Sequence, residues 1–414
     1  MVDLPANPSA VRDQPHPRCR IPGSAGEWER RRFSHRKKSN VFLAVRDIRF
    51  AKGRFTLMGA VVALISLLLV MLSGLTAGLA DQSTSAISAL GADRSGSTTA
   101  PAVDAIAFGA PGSAEPKASF TESAISPGQL QRWQDTPGVR DARALGISQA
   151  RVQAVSSTSP GTSNVTLFGV DPDGGLAPAG LTPNSVLIGS SVAKALAVQT
   201  GDQLSLNGTA LSVGGVVPDQ WYSHTSVLWL ALPAWRELAH LNDPGQLATV
   251  AAISYQPGAT VDQAAADAGA RTVSSSLTGS FQALASYRSE NGSLLLMQAF
   301  LYGISALVIV AFLTVWTIQR TRDIAVLKAL GAGNGFVLRD AIGQAAIVLV
   351  SGAGIGGAVG VAGGILATQA APFLLTPATV LLPVLGIIVL GLAGAAVAVR
   401  RVTKINALVA LGGN

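Results

Sequence analysis

One uncharged stretch decides the fold: Leu57-Met58-Gly59-Ala60-Val61-Val62-Ala63-Leu64-Ile65-Ser66-Leu67-Leu68-Leu69-Val70-Met71-Leu72. It lies within a longer run, from Phe55 to Ala80, that contains no Asp, Glu, Lys or Arg. About 20 apolar residues in a helix cross the ~30 Å hydrocarbon core of a bilayer. The sequence therefore predicts a first transmembrane helix over residues 55–80.

Two further uncharged runs predict three more transmembrane helices. The first run gives a helix over residues 292–318. The second run, residues 341–399, is too long for one crossing and contains three prolines. Thr376-Pro377 is typical of a helix start, since threonine caps the first turn and proline fits its first position. We therefore expect two helices here, over residues 338–368 and 379–399.

The composition excludes several classes of protein. Of 414 residues, 13% are charged, about half the usual 25%, and 49% are hydrophobic. This balance excludes a disordered chain, a basic nucleic-acid-binding protein and an ordinary soluble enzyme. The single cysteine, Cys19, excludes a disulfide framework and a cysteine-based metal cluster. We expect membrane lipids, and no nucleic acid, among the partners.

The placement of charge predicts the orientation in the membrane. Residues 1–54, 319–340 and 400–414 together carry 20 basic and 7 acidic residues, a net charge of +13. Residues 81–291 carry 10 basic and 16 acidic residues, a net charge of −6. Basic residues beside membrane spans stay on the cytoplasmic side. We expect both termini in the cytoplasm, residues 81–291 outside it, and the protein in the plasma membrane.

The predicted fold class is an α-helical membrane protein with four transmembrane helices plus an α+β extracytoplasmic domain inserted between helices 1 and 2. Within residues 81–291, a strand at 186–188 leads through Gly189 into a short helix. Asn207-Gly208 is typical of a type I′ hairpin turn. Further strands are expected at 227–230 and 250–254, and a helix capped by Thr260 is expected to end at Ala270. Residues 94–119 are expected to form a loop.

The remaining predicted segments lie on the cytoplasmic side. Residues 1–39 are rich in Pro and Arg and lack periodicity, which favours a disordered tail over a regulatory arm. Residues 40–54 place apolar and basic residues on opposite sides of a helix, as an interfacial amphipathic helix does. Residues 400–414 form the cytoplasmic tail.

Residues 319–335 predict a short amphipathic helix between the second and third spans. Its apolar face is formed by Ile324, Leu327 and Leu330. Its polar remainder consists of Arg320, Arg322, Asp323 and Lys328. A helix of this kind docks into a soluble partner or lies on the membrane, and the residues alone favour neither.

The third span carries a ridge of small residues. Gly352, Gly356, Gly360 and Gly364 recur every four residues. Such a ridge allows another helix to approach closely, either within one subunit or across a dimer. We favour packing within the subunit.

The sequence lacks the motifs of a self-contained enzyme. No phosphate-binding Gly-x-x-x-x-Gly-Lys-Ser/Thr motif occurs, and we expect no catalytic residue, metal site or cofactor. Ser191-x-x-Lys194 matches part of the penicillin-binding signature. Its companion motifs are missing, so a solvated helix start is the favoured interpretation. The uncharged runs also lack the acidic, basic or histidine side chains that a proton relay needs.

The layout resembles the FtsX/MacB family of ABC transporter permeases over roughly residues 40–414. The resemblance is carried by Arg320–Ala332, by the closing segment Arg400–Gly412 and, in the inserted domain, by Val186–Leu196 with Gly201–Leu204. Many relatives have proline where Asn406-Ala407 stands. The segment Phe42–Phe55 is most similar to HrtB/DevC-type permeases.

The resemblance implies a non-catalytic permease that works as a homodimer with two copies of a separate ABC ATPase. ATP hydrolysis would act on the 319–335 coupling helix and drive export of a hydrophobic or amphipathic substrate, with haem, lipid and peptide as candidates. For haem, the available ligands are Met71, Tyr222, His224, Met297 and Tyr302, each of which has packing as its simpler role.

Two alternatives remain open at this point. One is an FtsX-like signal transducer that regulates an extracytoplasmic hydrolase or sensor without transport. The other is a membrane-anchored binding protein or enzyme that works alone.

Overall fold

The computed structural model describes residues 52–92, 101–155, 161–241, 243–319, 321, 325–326 and 333–403. The α-helices in these residues are α1 Lys52–Leu90, α2 Pro127–Gln134, α3 Ser190–Leu196, α4 Leu232–Leu238, α5 Gln263–Ala270, α6 Ala285–Gln319, α7 Asn334–Ala367 and α8 Pro377–Thr403. The strands are β1 Ala105–Phe108, β2 Val139–Ala154, β3 Thr162–Val170, β4 Ser185–Gly189, β5 Gln203–Leu206, β6 Thr209–Val217, β7 Trp221–Tyr222, β8 Thr225–Ala231, β9 Val250–Tyr255 and β10 Val273–Ser276. Short 3₁₀ helices lie at Pro172–Gly174 and Gly279–Ala283.

Four of these helices are long and apolar enough to cross a membrane, which confirms the predicted number. These helices, each of which contains a long apolar stretch, run over Phe55–Leu90, Ala285–Gln319, Leu338–Ala367 and Pro377–Ala398. The predicted start of the last helix is also confirmed, because the hydroxyl of Thr376 accepts a hydrogen bond from the Thr379 amide at 3.2 Å. Helix α8 continues through Pro383, one of the three prolines of that run.

All four helices extend beyond the predicted spans, and α1 and α6 extend furthest. Helix α1 ends at Leu90, ten residues past residue 80, and α6 begins at Ala285, seven residues before residue 292. The extra turns contain polar residues, so the absence of charge marked only the apolar part of each helix. Residues 1–51 and 404–414 lie outside the described residues, and with them the predicted tail, most of the interfacial helix and Cys19.

Helices α1 and α8 each pack against the other three helices of the four-helix bundle. The bundle core takes apolar side chains from all four helices. Those buried most deeply include Met58, Val62 and Leu69 of α1, Ile309 and Leu313 of α6, Val348, Leu349 and Ala353 of α7, and Ile387 and Ala395 of α8.

The segment between α1 and α6 forms the inserted domain, which is built on a ten-stranded sheet. The strand order is β10-β1-β9-β2-β3-β8-β4-β6-β5, with β7 paired to β8. The long strand β2 divides this sheet, because its first half pairs with β9 and its second half with β3. The end of β2 also pairs with β5, which closes six strands into a ring. The inserted domain therefore has an open lobe and a closed lobe.

Both faces of the open lobe are covered. Helices α2 and α5 lie on one face, where Trp133 is fully buried with Ala105 and Ala107 of β1. The opposite face carries Ile106 and Phe108 of β1 and packs against the last turns of α1. The expectation of a loop over 94–119 is therefore wrong at residues 105–108. Four apolar residues among Ser, Gly and Pro are too short a run to show a strand period.

A second correction concerns the helix that ends at Ala270. Its cap is Asp262, whose carboxylate accepts a hydrogen bond from the Ala265 amide at 3.1 Å, and Thr260 lies outside the helix. Both residue types cap helices well, so the sequence could not choose between them. The predicted turn at Asn207-Gly208 is confirmed: the φ angles are 50° and 87°, and the turn joins β5 to β6.

Candidate functional site

The predicted coupling residues lie outside the described residues. These are Arg320, Arg322, Asp323, Ile324, Leu327, Lys328 and Leu330. Of their neighbours, Thr321, Ala325 and Val326 are helical, and Ala325 is buried while Val326 is exposed. The Thr321 hydroxyl donates to the Ile318 carbonyl of α6 at 2.7 Å. The coupling roles stay predictions.

The glycine ridge of α7 lies against α1 and the loop that follows α7. A Cβ atom added at Gly352 would lie 2.8 Å from the Gly59 carbonyl oxygen, and one at Gly356 would overlap the Ala63 carbonyl. At Gly360 it would meet the Val70 side chain at 2.9 Å. The fourth glycine, Gly364, is close to the ring of Phe373 instead. These contacts all lie within one subunit.

Two glycines of α1 that were not predicted from the sequence also make close contacts. A Cβ at Gly74 would overlap the Phe373 ring, and one at Gly78 would overlap the Pro372 carbonyl. The Leu374 amide also donates to the Gly74 carbonyl at 3.0 Å. The loop between α7 and α8 thus packs directly against α1. The spacing Gly74-x-x-x-Gly78 was the available signal, because small residues four apart mark close helix contacts.

Side-chain hydrogen bonds also link neighbouring helices inside the bundle. The Ser66 hydroxyl of α1 donates to the Ala353 carbonyl of α7 at 3.0 Å. The Gln298 amide of α6 donates to the Thr76 hydroxyl of α1 at 3.0 Å. Polar side chains in lipid find their partners on neighbouring helices, so these bonds fix both α6 and α7 relative to α1.

Helices α1 and α6 end in the core of the inserted domain. Ala86, Ile87 and Leu90 of α1 are at most 4% exposed, and they share one hydrophobic cluster with Phe108 and Trp229. Leu284, the residue before α6, belongs to the same cluster. The two helices therefore connect the bundle to the sheet without an intervening flexible linker.

The five candidate haem ligands have different neighbours. Tyr222 is buried against Phe120 and Phe168, and this burial raises the pKa of its phenol well above the ordinary value. Met297 is 57% exposed on α6. His224 is engaged, since its Nε2 lies 2.9 Å from both carboxylate oxygens of Glu290.

The other two candidates lie within the bundle. The Met71 sulfur is near Gly363, and the Tyr302 ring is near Gly386. Within the described residues, no group of three or more His, Cys, Asp and Glu side chains is placed to hold a metal ion.

The Ser191-x-x-Lys194 pattern forms a capped helix start. The Asp219 carboxylate accepts hydrogen bonds from the hydroxyls of Ser190 and Ser191, each at 2.7 Å, and from the Ser191 amide at 3.0 Å. Burial would raise the pKa of Asp219, but the hydrogen bonds from Ser191, Ser190 and Ser226 outweigh it and hold the pKa below its ordinary value. A serine held by a carboxylate in this way stabilises the first turn of α3.

A cleft of about 950 Å³ opens between the two lobes and the first turn of α6. Volumes of 300–1,000 Å³ are typical of sites for small organic molecules. The walls combine apolar and polar groups from β2, the segment after α4 and the start of α6. They include Phe120, Ser123, Ile147, Gln149, Leu241, Gln246, Leu284 and Ser286. The cleft can hold part of an amphipathic molecule.

Two family models match most of the chain. The MacB-like periplasmic core domain matches residues 41–271, and the FtsX-like permease C-terminal model matches residues 295–407. An ABC transporter permease of Mycobacterium tuberculosis is 26% identical over 392 residues, which cover 90% of this chain and 99% of that protein.

Two partial matches complete the comparison. A protein of Staphylococcus haemolyticus named as a hemin transport system permease, HrtB, is 26% identical over 219 residues, which cover 52% of this chain and 60% of that protein. The crystal structure of the extracellular domain of the ABC-type transporter YknZ covers 42% of this chain and 99% of that domain. Its sequence identity is 12% and its TM-score is 0.31.

Proposed function

Because the chain belongs to the FtsX/MacB family of ABC transporter permeases, we propose that it is the membrane subunit of an exporter driven by a separate ATPase. In this proposal two copies of the chain form a homodimer, and two copies of the ATPase bind on the cytoplasmic side. The substrate is hydrophobic or amphipathic.

One observation carries this proposal: α1 and α6 run without a break from the apolar bundle into the core of the inserted domain. The helix Phe55–Leu90 has 36 residues and is about 54 Å long at 1.5 Å per residue. That length exceeds the ~30 Å hydrocarbon core of a bilayer, so its end can reach a domain outside the membrane. A tilt at one end of such a rod displaces the other end.

The distribution of net charge supports the orientation that we propose for the chain in the membrane. The segments 1–54, 319–340 and 400–414 carry +13, and residues 81–291 carry −6. The positive-inside rule then gives cytoplasmic termini and an extracytoplasmic inserted domain. In this orientation the coupling helix 319–335 faces the ATPase, which pushes on it when ATP binds.

We assign the contacts with the ATPase to two sets of side chains on the coupling helix. Ile324, Leu327 and Leu330 form the apolar surface that docks. Arg320, Arg322, Asp323 and Lys328 form the charged rim around it. An apolar centre with a polar rim is the general composition of protein interfaces.

The substrate class follows from the cleft and from one relative. The cleft offers both apolar and polar groups, which suits an amphipathic molecule. One relative is named for hemin transport, so haem is a candidate alongside lipid and peptide. A spectral titration of the purified chain with haem tests this candidate, and an unchanged Soret band would remove it.

The experiment that tests the proposed function is co-purification with the ABC ATPase encoded nearest this gene. Reversing two rim charges, Arg322→Glu with Lys328→Glu, should abolish co-purification and ATP-dependent export. A matched control is Lys194→Glu with Arg236→Glu, because both side chains are exposed on the inserted domain. Undiminished ATPase binding in the first double variant would contradict the coupling assignment.

The same preparation separates export from signal transduction. If ATP turnover changes the activity of an extracytoplasmic hydrolase or sensor while no compound crosses the membrane, the chain is a transducer. If the chain binds no ATPase at all, the remaining function is that of a membrane-anchored protein working alone.

A further inference from the structure

We propose that the tip of the β7–β8 hairpin, residues 221–225, is the joint through which α1 and α6 move the inserted domain, with His224 as its central positioning residue. We call these residues and their contacts with the two helices the hairpin joint. This inference rests on the proposed function, because it names the contact that transmits the motion.

The backbone of the hairpin joint is bonded directly to the last turns of α1. The Ser223 amide donates to the Ser83 carbonyl at 3.1 Å, and the His224 amide donates to the Gln82 carbonyl at 3.0 Å. The Trp221 amide donates to the Ser85 hydroxyl at 3.0 Å. A carbonyl oxygen has two lone pairs, so a helical carbonyl can accept a second donor. These bonds attach the hairpin to the helix backbone itself.

The side chains of the hairpin joint also contact helix α6. His224 Nε2 lies 2.9 Å from both Glu290 oxygens on α6 and 3.2 Å from the Ser83 hydroxyl on α1. Because a carboxylate only accepts, Nε2 is the nitrogen that carries the proton. The Ser223 hydroxyl also lies 2.9 Å from the Ser286 hydroxyl of α6. His224 therefore bridges both helices.

The turn itself adopts a conformation that its residues disfavour. Ser223 has a φ angle of 48° and His224 one of 65°, as in a two-residue type I′ turn. Glycine and asparagine are the usual residues of such a turn. Non-glycine residues keep positive φ angles only where surrounding contacts hold them. Here those contacts are the bonds to α1 and α6.

The hairpin joint leads directly to the middle of the sheet. Strand β8 begins at Thr225 and lies between β3 and β4 in the closed lobe. It runs parallel to β3 over six paired residues. A displacement of the hairpin tip is thus passed to a strand of the closed lobe that pairs with both β3 and β4. The cleft adjoins the same place, because Ser223 and Ser286 line it.

The first experiment tests the hairpin joint without the ATPase. Amide hydrogen exchange of residues 221–226 is measured on the full chain in lipid nanodiscs. We expect His224→Gly to speed exchange about tenfold or more, because a hydrogen bond to a charged group is lost. Glycine also favours the positive φ angle, so faster exchange cannot come from a strained turn.

Two variants control this measurement. His224→Gln keeps a nitrogen donor and should stay close to the wild type. Glu237→Gln, an exposed carboxylate on α4, should change nothing at the hairpin. Unchanged exchange in His224→Gly would show that His224 does not hold the hairpin, and the proposal would fall.

The second experiment tests transmission and includes a rescue. With the ATPase bound, hydrogen exchange across the inserted domain is compared with and without ATP. We expect His224→Gly to lose most of the ATP-dependent change. In a Cys19→Ser background, mild chemical oxidation of Ser223→Cys with Ser286→Cys should form a disulfide, because the two hydroxyl oxygens that the sulfur atoms replace are 2.9 Å apart. That disulfide should restore the ATP response of His224→Gly, and reduction should remove it again.

The outcomes separate this inference from the proposed function. A full ATP response in His224→Gly, or a disulfide that restores nothing, overturns the role of the hairpin joint and leaves the exporter intact. A wild-type chain whose inserted domain never responds to ATP overturns the proposed function and the transmission role together.

Discussion

The inserted domain and the helical bundle differ in the side chains that stabilise their interiors. Large aromatic side chains fill the inserted domain, whereas glycine makes the closest contacts in the bundle. The aromatic residues among the largest fully buried side chains all lie in the inserted domain: Phe108, Trp133, Phe168, Trp229 and Trp235. In the bundle the closest contacts involve glycine, and large side chains such as Leu366 and Leu382 are more than two-thirds exposed on its surface. Burial in water is driven by apolar area, whereas helices in lipid gain mainly from close packing.

This difference predicts opposite responses to a change in side-chain volume. The inserted domain should lose stability when buried atoms are removed. The bundle should lose stability when atoms are added at its helix contacts. The following substitutions test the contrast in the full chain in lipid nanodiscs, where the free energy of unfolding is compared with the wild type.

The largest effect is expected from Trp235→Ala in the inserted domain. Trp235 of α4 is 1% exposed, and its Nε1 donates to the Ser148 hydroxyl at 3.0 Å. Removing the ring should cost about 3–5 kcal/mol, because a large cavity remains. Leu366→Ala in α7 is the control, since that side chain is 69% exposed and should cost little. A loss below about 1 kcal/mol for Trp235→Ala would break the contrast.

Adding one methyl group to the bundle should come next. Gly356→Ala places a Cβ on the Ala63 carbonyl of α1, and backbone cannot move aside as a side chain can. We expect a loss of about 2 kcal/mol or more, as overpacking usually costs. Gly354→Ala is the matched control two residues away, because nothing lies within 4 Å of its Cβ position. Alanine there should be neutral or slightly stabilising, since it favours a helix.

The test is the difference in stability between Gly356→Ala and Gly354→Ala. If Gly356→Ala is as stable as Gly354→Ala, then α7 does not approach α1 as closely as the structure indicates.

One site in the inserted domain resembles the bundle, because glycines there make room for a large neighbour. Gly146 of β2 and Gly169 of β3 are opposite each other in the sheet, and the Trp235 ring lies over both. Gly169→Ala should cost about 1–2 kcal/mol, because the added methyl group collides with Trp235. Combining it with Trp235→Ala should remove most of that extra cost, as expected for residues in contact. If the two stability losses simply add, Gly169 does not make room for the Trp235 ring.

The same contrast explains which features could be predicted from the sequence. The four long helices follow from uncharged runs, and the Thr376 cap and the Asn207-Gly208 turn follow from neighbouring residues. These signals are local. Strand β1 was missed, because its four residues are buried only by the helices and strands packed on both of its faces.

The contacts that connect the two regions were also beyond the sequence. Gly74 and Gly78 of α1 receive a loop almost 300 residues further along the chain, and only their spacing hinted at a contact. The hairpin joint was not predicted, since Ser223 and His224 replace the glycine or asparagine that marks such a turn. His224 stood out only as a candidate haem ligand. Its engagement with Glu290 depends on the fold, because 66 residues separate them.

The smallest expected effect concerns a charge in the closed lobe. Asp219→Asn keeps the size of the side chain but loses the charge that accepts bonds from Ser190, Ser191 and Ser226. We expect a loss of about 1 kcal/mol at pH 7, the usual value of a helix cap. Because hydrogen bonding lowers the pKa of Asp219 in the folded state, the charged form is the stabilising one.

The pH dependence follows from that sign. The contribution of Asp219 is complete above the carboxyl's unfolded pKa of about 3.9 and is lost as the pH falls through the lower folded pKa. The stability difference between the wild type and Asp219→Asn should therefore be constant from pH 7 to about pH 5 and shrink towards pH 3 and below. Asparagine does not titrate here, so the variant itself is the reference. A difference that stays constant down to pH 3 would mean that the cap is stabilised by shape alone, which would place this site with the glycine contacts of the bundle.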